Sequence, residues 1–496
     1  MERRRIRISE TSKGQTVLAS LQEQGIYMPA FCGGMGTCGK CRVRFTGDAP
    51  APEEAERALL TPQEIGDGVR LACRTHAPAG ALLELLSGDE DAIEAQTLIA
   101  LGGPEDTPGA SGLVTGTAAA VDLGTTTIAM SLVELPSGRV IGTAAGVNHQ
   151  RAWGADVISR ISAACNGKGG AMQESVFRDL ALLRGKLGHP GSLPMVISGN
   201  TTMQHLLQGL SCRTLGTAPY TPVDISLHRY GEMTILPGIS TYVGADIVSG
   251  IVACGMDRSE EICVLVDLGT NGEMAIGCRD GILCASTAAG PAFEGGNISC
   301  GTAGIPGAVC GVEIRDGKAM VETIGGAPPA GICGTGVVET VYELLKEGLM
   351  DETGLLEDEY CDDGFPLAPG VVFTGKDIRE VQLAKAAVRA GLEVLIKEYG
   401  TDYDHIKKVW IAGGFGQKLN LEKAVGIGLL PEELMDRMEP VGNSSLAGAV
   451  MALRDPAAAE RMEKTARAAR ETPLSGSAVF SELYMDCMFF PEQDGE

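Results

Sequence analysis

The chain has 496 residues, too many for one compact core, and this length predicts about three domains. Forty Lys and Arg residues against 64 Asp and Glu give a net charge of −24, which argues against nucleic acid or an anionic membrane as the main partner. No long apolar run and no signal-peptide core occurs, and eleven of the fifteen cysteines are scattered through apolar stretches without the paired spacing of disulfides, so we expect a cytoplasmic protein.

The first predicted unit, residues 1–91, is a small domain with four notable cysteines. RRRIRISE alternates like a strand, TVLASLQEQGIY has the pattern of an amphipathic helix, and KCRVRFTG is a second strand. Cys32, Cys38 and Cys41 have C-x5-C-x2-C spacing, and Cys73 completes the set. Three clustered cysteines and a distant fourth are typical of a 2Fe-2S cluster, with a zinc site or ordinary thiols as the alternatives. The glycines between them allow a positive φ, which turns backbone N–H groups toward the cluster.

Residues 92–117 form a predicted flexible linker. The segment ALGGPEDTPGASGLVTG is rich in Gly, Pro, Ser and Thr and has little periodicity. Such a tether would let the first domain move between an electron donor and an acceptor, or it would only separate two folded units.

Two similar strand–turn–strand units follow, in AAAVDLGTTTIAM and VLVDLGTNGEMAIG. Their turns present N–H groups and hydroxyls that suit phosphate, and the Asp near the end of each strand suits hydrated Mg²⁺. The residues are Asp122, Gly124, Thr125 and Thr126 in the first unit and Asp267, Gly269, Thr270 and Asn271 in the second. Two copies predict duplicated domains, 118–258 and 259–496, that face each other across a nucleotide cleft. Tight hairpins without a ligand are the alternative.

A third glycine-rich turn, in VWIAGGFGQ, follows a predicted strand and contains Gly413, Gly414 and Gly416. Glycines at this place permit the backbone to approach a nucleoside closely.

Three polar residues near the turns are candidates for the chemistry. Asp246, in VGADIV, is placed to orient an attacking water, and a turn or helix cap is an equal alternative. Asn200, in SGNTT, is a weaker candidate. Glu273 follows the second phosphate turn closely enough to reach metal or water, but a single carboxylate at a strand start is more often solvated, so we expect a solvated side chain and rank it below Asp246.

At the three turns the chain resembles the superfamily of acetate and sugar kinases, heat-shock chaperones and actin. The segments SGNTTMQHLL, YVGADIVSGI, ASTAAGPAFEGG, GICGTGVVE and DIREVQLAKAAVRAGLEVL resemble the ATPase part of the reductive activators of corrinoid proteins. The cysteine-rich domain in front resembles the β-grasp ferredoxins. This implies an α+β N-terminal β-grasp ferredoxin domain followed by α/β duplicated ribonuclease-H-like (actin-like ATPase) domains.

The resemblance also implies the function. Such activators use ATP and Mg²⁺ to pass an electron from an iron-sulfur cluster to a Co(II) corrinoid protein, which regenerates Co(I) for methyl transfer. The implied partners are that corrinoid protein and a low-potential donor such as a flavodoxin, ferredoxin or reductase, and a homodimer is compatible with the family.

The sequence departs from larger activators in two places. The first phosphate turn follows the linker directly, so no additional middle domain is expected, and no C-terminal cysteine motif for 4Fe-4S clusters follows. Two other functions stay open at this point: a small-molecule kinase with a fused electron-transfer domain, and a nucleotide-binding redox sensor.

Overall fold

The computed structural model describes residues 5–8, 15–24, 26, 28, 30, 34–37, 39–76, 78, 80–86, 116–135 and 137–492. Cys32, Cys38 and the linker before Gly116 lie outside these residues. A strand begins at Gly116, so the last two residues of the predicted linker belong to that strand. Within the described part of the chain, no helix is long and apolar enough to cross a membrane.

The N-terminal unit is a four-stranded antiparallel sheet with an amphipathic helix packed on it. Its elements are β1 (Arg5–Arg7), α1 (Val17–Glu23), β2 (Arg42–Phe45), α2 (Glu54–Leu59), α3 (Pro62–Gly66), β3 (Val69–Leu71) and β4 (Leu82–Leu85), in the strand order β1-β4-β2-β3. Helix α1 begins after Thr16, whose hydroxyl accepts the N–H of Ala19, and it buries Val17, Leu18 and Leu21 against the sheet. The predicted order of strand, helix and strand is confirmed.

The first ATPase lobe is built on a six-stranded mixed sheet. Its elements are β5 (Gly116–Leu123), β6 (Thr127–Leu135), β7 (Arg139–Val147), α4 (Val157–Ala163), α5 (Gly169–Lys186), β8 (Met195–Gly199), α6 (Thr201–Gln208), β9 (His228–Tyr230), β10 (Met233–Ile235) and α7 (Ala245–Cys254). The strand order is β7-β6-β5-β8-β10-β9. Alternate residues of β5 face opposite sides, so Val121 packs with α4 to α6 and Ala120 packs with α7.

The second lobe repeats this arrangement and adds two small sheets. Its elements are β11 (Ile262–Leu268), β12 (Gly272–Cys278), β13 (Gly281–Thr287), β14 (Ala308–Arg315), β15 (Lys318–Thr323), β16 (Gly331–Ile332), α8 (Gly334–Lys346), β17 (Phe365–Ala368), β18 (Val371–Phe373), α9 (Gly375–Tyr399), β19 (Ile406–Ala412), α10 (Leu421–Gly426), β20 (Met438–Gly442), α11 (Ser444–Arg454), α12 (Pro456–Ala468), β21 (Arg470–Glu471) and α13 (Ala478–Asp486). The main sheet has the order β20-β19-β11-β12-β13-β21.

The two main sheets share one topology. In each, three consecutive strands form an antiparallel meander, and a later strand pairs in parallel with the first of them, β8 with β5 and β19 with β11. Both DLGT turns therefore lie at the same end of their sheets, between the first and second strands. This is the duplicated α/β ATPase fold implied by the sequence.

Helix α7 packs between the lobes and joins them. Its Val248 packs with Ala120 of the first sheet, while Ile247 packs with Leu265 of the second. Helix α11 crosses α7 so closely that a Cβ atom on Gly448 would lie 2.5 Å from the Ser249 carbonyl oxygen. Although α11 comes late in the chain, it therefore packs on the first sheet, and it delivers its N-terminus to the end of β5.

Candidate nucleotide cleft and iron-sulfur centre

The first predicted phosphate turn joins β5 to β6 and requires glycine. The N–H of Gly124 donates to the Thr127 carbonyl at 3.1 Å, and a Cβ atom on Gly124 would lie 2.6 Å from that oxygen. A larger residue would force the turn open. Asn148, which sequence reasoning missed, supports the turn, because its side-chain amide donates to the Gly124 carbonyl at 2.8 Å.

The second predicted phosphate turn joins β11 to β12 and meets the first. The Gly269 N–H donates to the Asn271 carbonyl at 3.2 Å. The hydroxyls of Thr126 and Thr270, 144 residues apart in the chain, lie 2.8 Å from each other. The structure thus brings the six predicted turn residues, including buried Thr125, to one place between the lobes, where their N–H groups and hydroxyls suit a phosphate chain.

Four carboxylates lie close to the two turns, and their charges interact. Burial and, after it, the negative charges of neighbours such as Asp246 and Asp122 together raise the pKa of Asp267 to about 8. Burial, with a smaller contribution from the charge of Asp122, raises the pKa of Asp246 to about 7. The pKa of Glu273 is raised in the same direction by burial and by Asp246. Such a concentration of carboxylates favours a bound cation.

Asp122 is held in place by the N-terminus of α11. The Asn443 amide donates to its Oδ2 at 2.8 Å, and the Ser445 hydroxyl donates to its Oδ1 at 2.7 Å. Burial raises the pKa of Asp122, and these two hydrogen bonds act against the rise. Asn443 also caps α11, since its side chain accepts the N–H of Leu446. The sequence contains a capping signal in GNSS but gives no sign that the cap reaches Asp122.

Asp246 lies at the start of a helix beside the cleft, and its role in orienting an attacking water stays a prediction. It lies in the first turn of α7, where its Oδ1 accepts the N–H of Ile247 at 2.9 Å, and the capping residue itself is Gly244. Its carboxylate is only 9% exposed and belongs to the same charged cluster as Asp122 and Asp267. A helix-start carboxylate is thereby placed among the cleft residues.

The expectation that Glu273 is solvated is wrong. Its side chain is buried, and its Oε1 accepts a hydrogen bond from the Asn200 amide at 3.3 Å. All residues of β12 are buried because the strand lies inside the sheet with helices on its faces, so its first residue cannot reach bulk solvent. Asn200 has two functions, since it also caps α6 by accepting the N–H of Thr202.

The donor set of the cleft fits a hydrated magnesium ion with a nucleotide. Among the described residues, no three His, Cys, Asp or Glu side chains are arranged to hold a metal ion by themselves. Mg²⁺ normally keeps several waters and takes phosphate oxygens beside one or two carboxylates. Two such carboxylates, Asp122 and Asp267, lie next to the hydroxyl-bearing turns. Each is near the end of the first strand of its sheet.

The third glycine turn follows β19, as predicted, and packs against the second phosphate turn. Gly413 has φ +91°, and a Cβ atom there would lie 2.4 Å from the Leu268 carbonyl oxygen and 2.9 Å from Oδ1 of Asp267. Gly416 is buried on the side chain of Ile411. Glycine is therefore required at 413 because the backbone there lies against the strand that carries Asp267. A contact of Gly413, Gly414 and Gly416 with a nucleoside stays a prediction.

A fifth carboxylate, Glu294, was missed by sequence reasoning. Its Oε2 accepts hydrogen bonds from the Thr270 hydroxyl at 2.7 Å and from the Thr126 hydroxyl at 3.1 Å. Burial raises the pKa of Glu294, and the two hydroxyls lower it. Nothing in the local pattern of the segment ASTAAGPAFEGG indicates that this Glu reaches both phosphate turns.

Two of the four predicted cluster ligands lie side by side in the N-terminal unit. Cys41 directly precedes β2 and Cys73 closely follows β3, and these strands pair with Arg42 opposite Leu71. Both thiols are buried and neither forms a disulfide. Two adjacent buried cysteines at a loop end fit an iron-sulfur cluster. The complete set of four ligands stays a prediction, because Cys32 and Cys38 lie outside the described residues.

The cluster loop has the backbone that the sequence predicted. Gly34, Gly36 and Gly39 have φ values of +88°, +78° and +67°. Glycine adopts this left-handed region without the steric cost that a Cβ atom would bring. The prediction that the loop glycines take positive φ is confirmed for these three.

Comparison with known proteins agrees with this architecture. The chain matches three family models: the 2Fe-2S iron-sulfur cluster binding domain over residues 2–78, the RACo middle region over 117–259, and the C-terminal domain of RACo, the ASKHA domain, over 261–496. The match of residues 117–259 shows that the expected absence of a middle region is wrong. The part of the chain interpreted as a first ATPase lobe is the part that this family calls its middle region.

Similar proteins carry related names. The corrinoid activation enzyme RamQ of Eubacterium limosum is 31% identical over 412 residues, which cover 74% of this chain and 69% of that protein. The [Co(II) methylated amine-specific corrinoid protein] reductase of Methanosarcina barkeri is 31% identical over 44% of this chain and 43% of its own length. A solved structure, the reductive activator for corrinoid, iron-sulfur protein, superposes with a TM-score of 0.71 at 29% identity, covering 99% of this chain and 97% of that one. The chain therefore belongs to the family of reductive activators of corrinoid proteins.

Proposed function

We propose that the protein is an ATP-dependent reductive activator that transfers an electron from its 2Fe-2S cluster to a Co(II) corrinoid protein and so regenerates Co(I). The observation that carries this proposal is the meeting of the two phosphate turns at Thr126 and Thr270, in a chain whose first unit presents the buried pair Cys41 and Cys73. The relatives that are named for corrinoid activation or reduction support the choice of acceptor.

The cleft residues have separate roles in this proposal. Asp122 and Asp267 hold Mg²⁺ through waters, and Asp246 orients the attacking water. The phosphate oxygens are bound by Thr125, Thr126, Thr270 and Asn271, in the turns that Gly124 and Gly269 form, and the nucleoside lies on Gly413, Gly414 and Gly416. The cluster, which supplies one electron at a time, is held by Cys32, Cys38, Cys41 and Cys73.

Nucleotide binding is needed because the electron moves uphill. For each 100 mV by which the acceptor potential lies below that of the cluster, transfer of one electron costs about 2.3 kcal/mol. Coupling free energies between two binding sites are typically about 1–3 kcal/mol, so a nucleotide that binds one conformation more tightly can offset this cost. In this proposal the two conformations differ in how the lobes lie about α7, a helix that packs on both main sheets.

Three further points stay predictions: the upstream donor is a flavodoxin, ferredoxin or reductase, the chain forms homodimers, and it works in the cytoplasm. The boundaries 1–91, 92–117, 118–258 and 259–496 are likewise proposed as the division into domains.

The test uses the full chain, purified without oxygen. Reduced protein is mixed with a corrinoid protein in the Co(II) state, with ATP, with a non-hydrolysable analogue or without nucleotide, and Co(I) is followed by its absorption. We expect Co(I) only with nucleotide. Equal rates without nucleotide would refute the coupling, and a colourless, iron-free protein with stoichiometric zinc would refute the cluster. A redox sensor would bind nucleotide but form no Co(I), and a kinase would phosphorylate a small molecule.

A matched pair of variants tests the cleft. Asp267→Asn removes one negative charge beside Mg²⁺, and we expect ATP hydrolysis to fall by about 100-fold while the visible spectrum is unchanged. Asp280→Asn makes the same change at an exposed site of the same lobe and should leave hydrolysis intact. Unchanged hydrolysis in Asp267→Asn would show that the metal assignment is wrong.

A further inference from the structure

The segment 291–302, between β13 and β14, touches both the phosphate turns and the N-terminal unit. It begins beside the nucleotide cleft at Glu294 and continues within five residues to Ile298 and Ser299, which contact the cluster loop. We call residues 294–299 the connecting segment.

At the cleft end, Glu294 joins the two lobes. Its carboxylate accepts the hydroxyl of Thr126 from the first lobe and the hydroxyl of Thr270 from the second. These hydroxyls are the groups assigned above to phosphate oxygens. An anionic carboxylate and an anionic phosphate repel each other and compete for the same two donors, so they cannot share this position.

The connecting segment is packed tightly enough to transmit a displacement. A Cβ atom on Gly295 would lie 2.4 Å from the Thr302 carbonyl oxygen. The Asn297 amide donates to Glu380 at 3.1 Å, and the Ser299 N–H donates to Asp377 at 2.6 Å, which anchors the far end to the start of α9. Close-packed protein does not deform continuously, so movement of Glu294 must shift the segment.

At the other end, the cluster loop docks on this segment through one lysine. Lys40 lies between the predicted ligands Cys38 and Cys41, and its ammonium donates to the carbonyls of Ile298 at 2.9 Å and Ser299 at 2.6 Å. Charge-assisted bonds of this kind are among the stronger ones in proteins. A cleft of about 570 Å³ remains between the loop and α9, where Lys376 is one of the lining residues.

The N-terminal unit has a second anchor on the other lobe. The Gln22 amide of α1 donates to the Ala152 carbonyl, which follows β7 in the first lobe. Because one anchor is on each lobe, the docked position of the N-terminal unit depends on the angle between the lobes.

We propose that Glu294 occupies the place of the terminal phosphate, and that ATP, by displacing it, moves the connecting segment, breaks the Lys40 contact and releases the cluster domain from the ATPase. The inference rests on the proposed function, since it needs the nucleotide at the two turns. ADP lacks the terminal phosphate, so it leaves Glu294 and the docked domain in place. ATP would then control when the cluster can reach a partner.

The experiment is hydrogen–deuterium exchange on the intact, cluster-loaded protein, followed at peptides covering 34–42 and 296–302. It is done without nucleotide, with ADP and with a non-hydrolysable ATP analogue, whose binding is measured separately. We expect the ATP analogue to raise exchange in both peptides at least about tenfold, a change of about 1.4 kcal/mol in docking. ADP should have little effect.

Two variants and a control make the test specific. Lys40→Met should give the high exchange in peptide 34–42 without nucleotide, whereas Lys376→Met removes a charge from the same cleft and should behave like the wild type. Glu294→Gln replaces the carboxylate by an amide that can donate to phosphate, so this variant should bind the ATP analogue more tightly. Because no carboxylate is then displaced, hydrogen–deuterium exchange in the two peptides should not rise when the analogue binds.

Each failure has its own meaning. If the ATP analogue binds and neither peptide changes, or if Glu294→Gln responds like the wild type, the release mechanism is wrong while the proposed function stands. If no nucleotide binds, the proposed function and this inference are both wrong.

Discussion

Replacing Gly413 by alanine should slow ATP hydrolysis far more than replacing Gly400, although both glycines have left-handed backbones. Gly400 ends α9 with φ +76°, and no atom lies within 4 Å of an added Cβ. Gly413 has φ +91°, and its added Cβ would be 2.4 Å from the Leu268 carbonyl oxygen. The two positions therefore share the backbone cost and differ in the steric clash.

The magnitudes follow from these contacts. Alanine in the left-handed region costs about 1 kcal/mol at either position. A carbon–oxygen contact needs about 3.3 Å, so the ends of β11 and β19 must separate by about 0.9 Å in Gly413→Ala. Overpacking of this kind adds about 1–3 kcal/mol to the loss of stability. Because the displaced strand carries Asp267, and a misplacement of about 1 Å can slow a reaction about 100-fold, we expect a loss of that order in hydrolysis.

The assay is steady-state ATP hydrolysis of both variants, with thermal unfolding and the visible spectrum as measures of intact fold and cluster. Gly400→Ala should hydrolyse ATP at the wild-type rate and unfold at a slightly lower temperature. Gly413→Ala should keep its spectrum and lose hydrolysis. Equal activity of the two variants would refute the view that the third turn positions Asp267.

Three further outcomes are expected. Cys41→Ala should abolish the visible absorption and the bound iron, while Cys212→Ala, an equally buried thiol in the first lobe, should keep both; a coloured Cys41→Ala protein would contradict the ligand assignment. Asp246→Asn should bind ATP but hydrolyse it at least about tenfold more slowly, and unaltered turnover would remove Asp246 from the site. Burial lowers the pKa of Lys385 to about 8, so between about pH 8 and 10.5 the unfolded chain binds more protons than the folded one. The free energy of unfolding should therefore rise across this range by about 3 kcal/mol relative to Lys385→Met. Parallel curves of unfolding free energy against pH for the two proteins would contradict this.

The local structure around the candidate site was predictable because it depends on short stretches of chain. The two DLGT turns follow strands because apolar runs, rich in Ala before the first turn and in Val before the second, end at small residues there, and the structure has β5, β6, β11 and β12 around them. The positive φ of Gly34 and the strand before Gly413 follow from equally local preferences.

The error on Glu273 has a physical reason. A single charged residue at a strand start is usually solvated, and no local pattern tells that β12 is buried along its whole length. The burial of Glu273 is decided by helices that arrive from distant parts of the chain, and by the Asn200 amide that compensates its carboxylate.

The sequence by itself determined the cysteine spacing, the glycine turns and the two strand–turn–strand units, because each depends on neighbours within about ten residues and on the backbone preferences of Gly, Thr and β-branched residues. Only the tertiary structure decided which distant groups meet: Thr126 with Thr270, Asp122 with Ser445, and Lys40 with Ser299. These contacts join residues 144 to 323 positions apart. The first two form because packing of the two sheets on α7 leaves buried polar groups that must find partners, whereas the exposed contact of Lys40 depends on where the N-terminal unit docks.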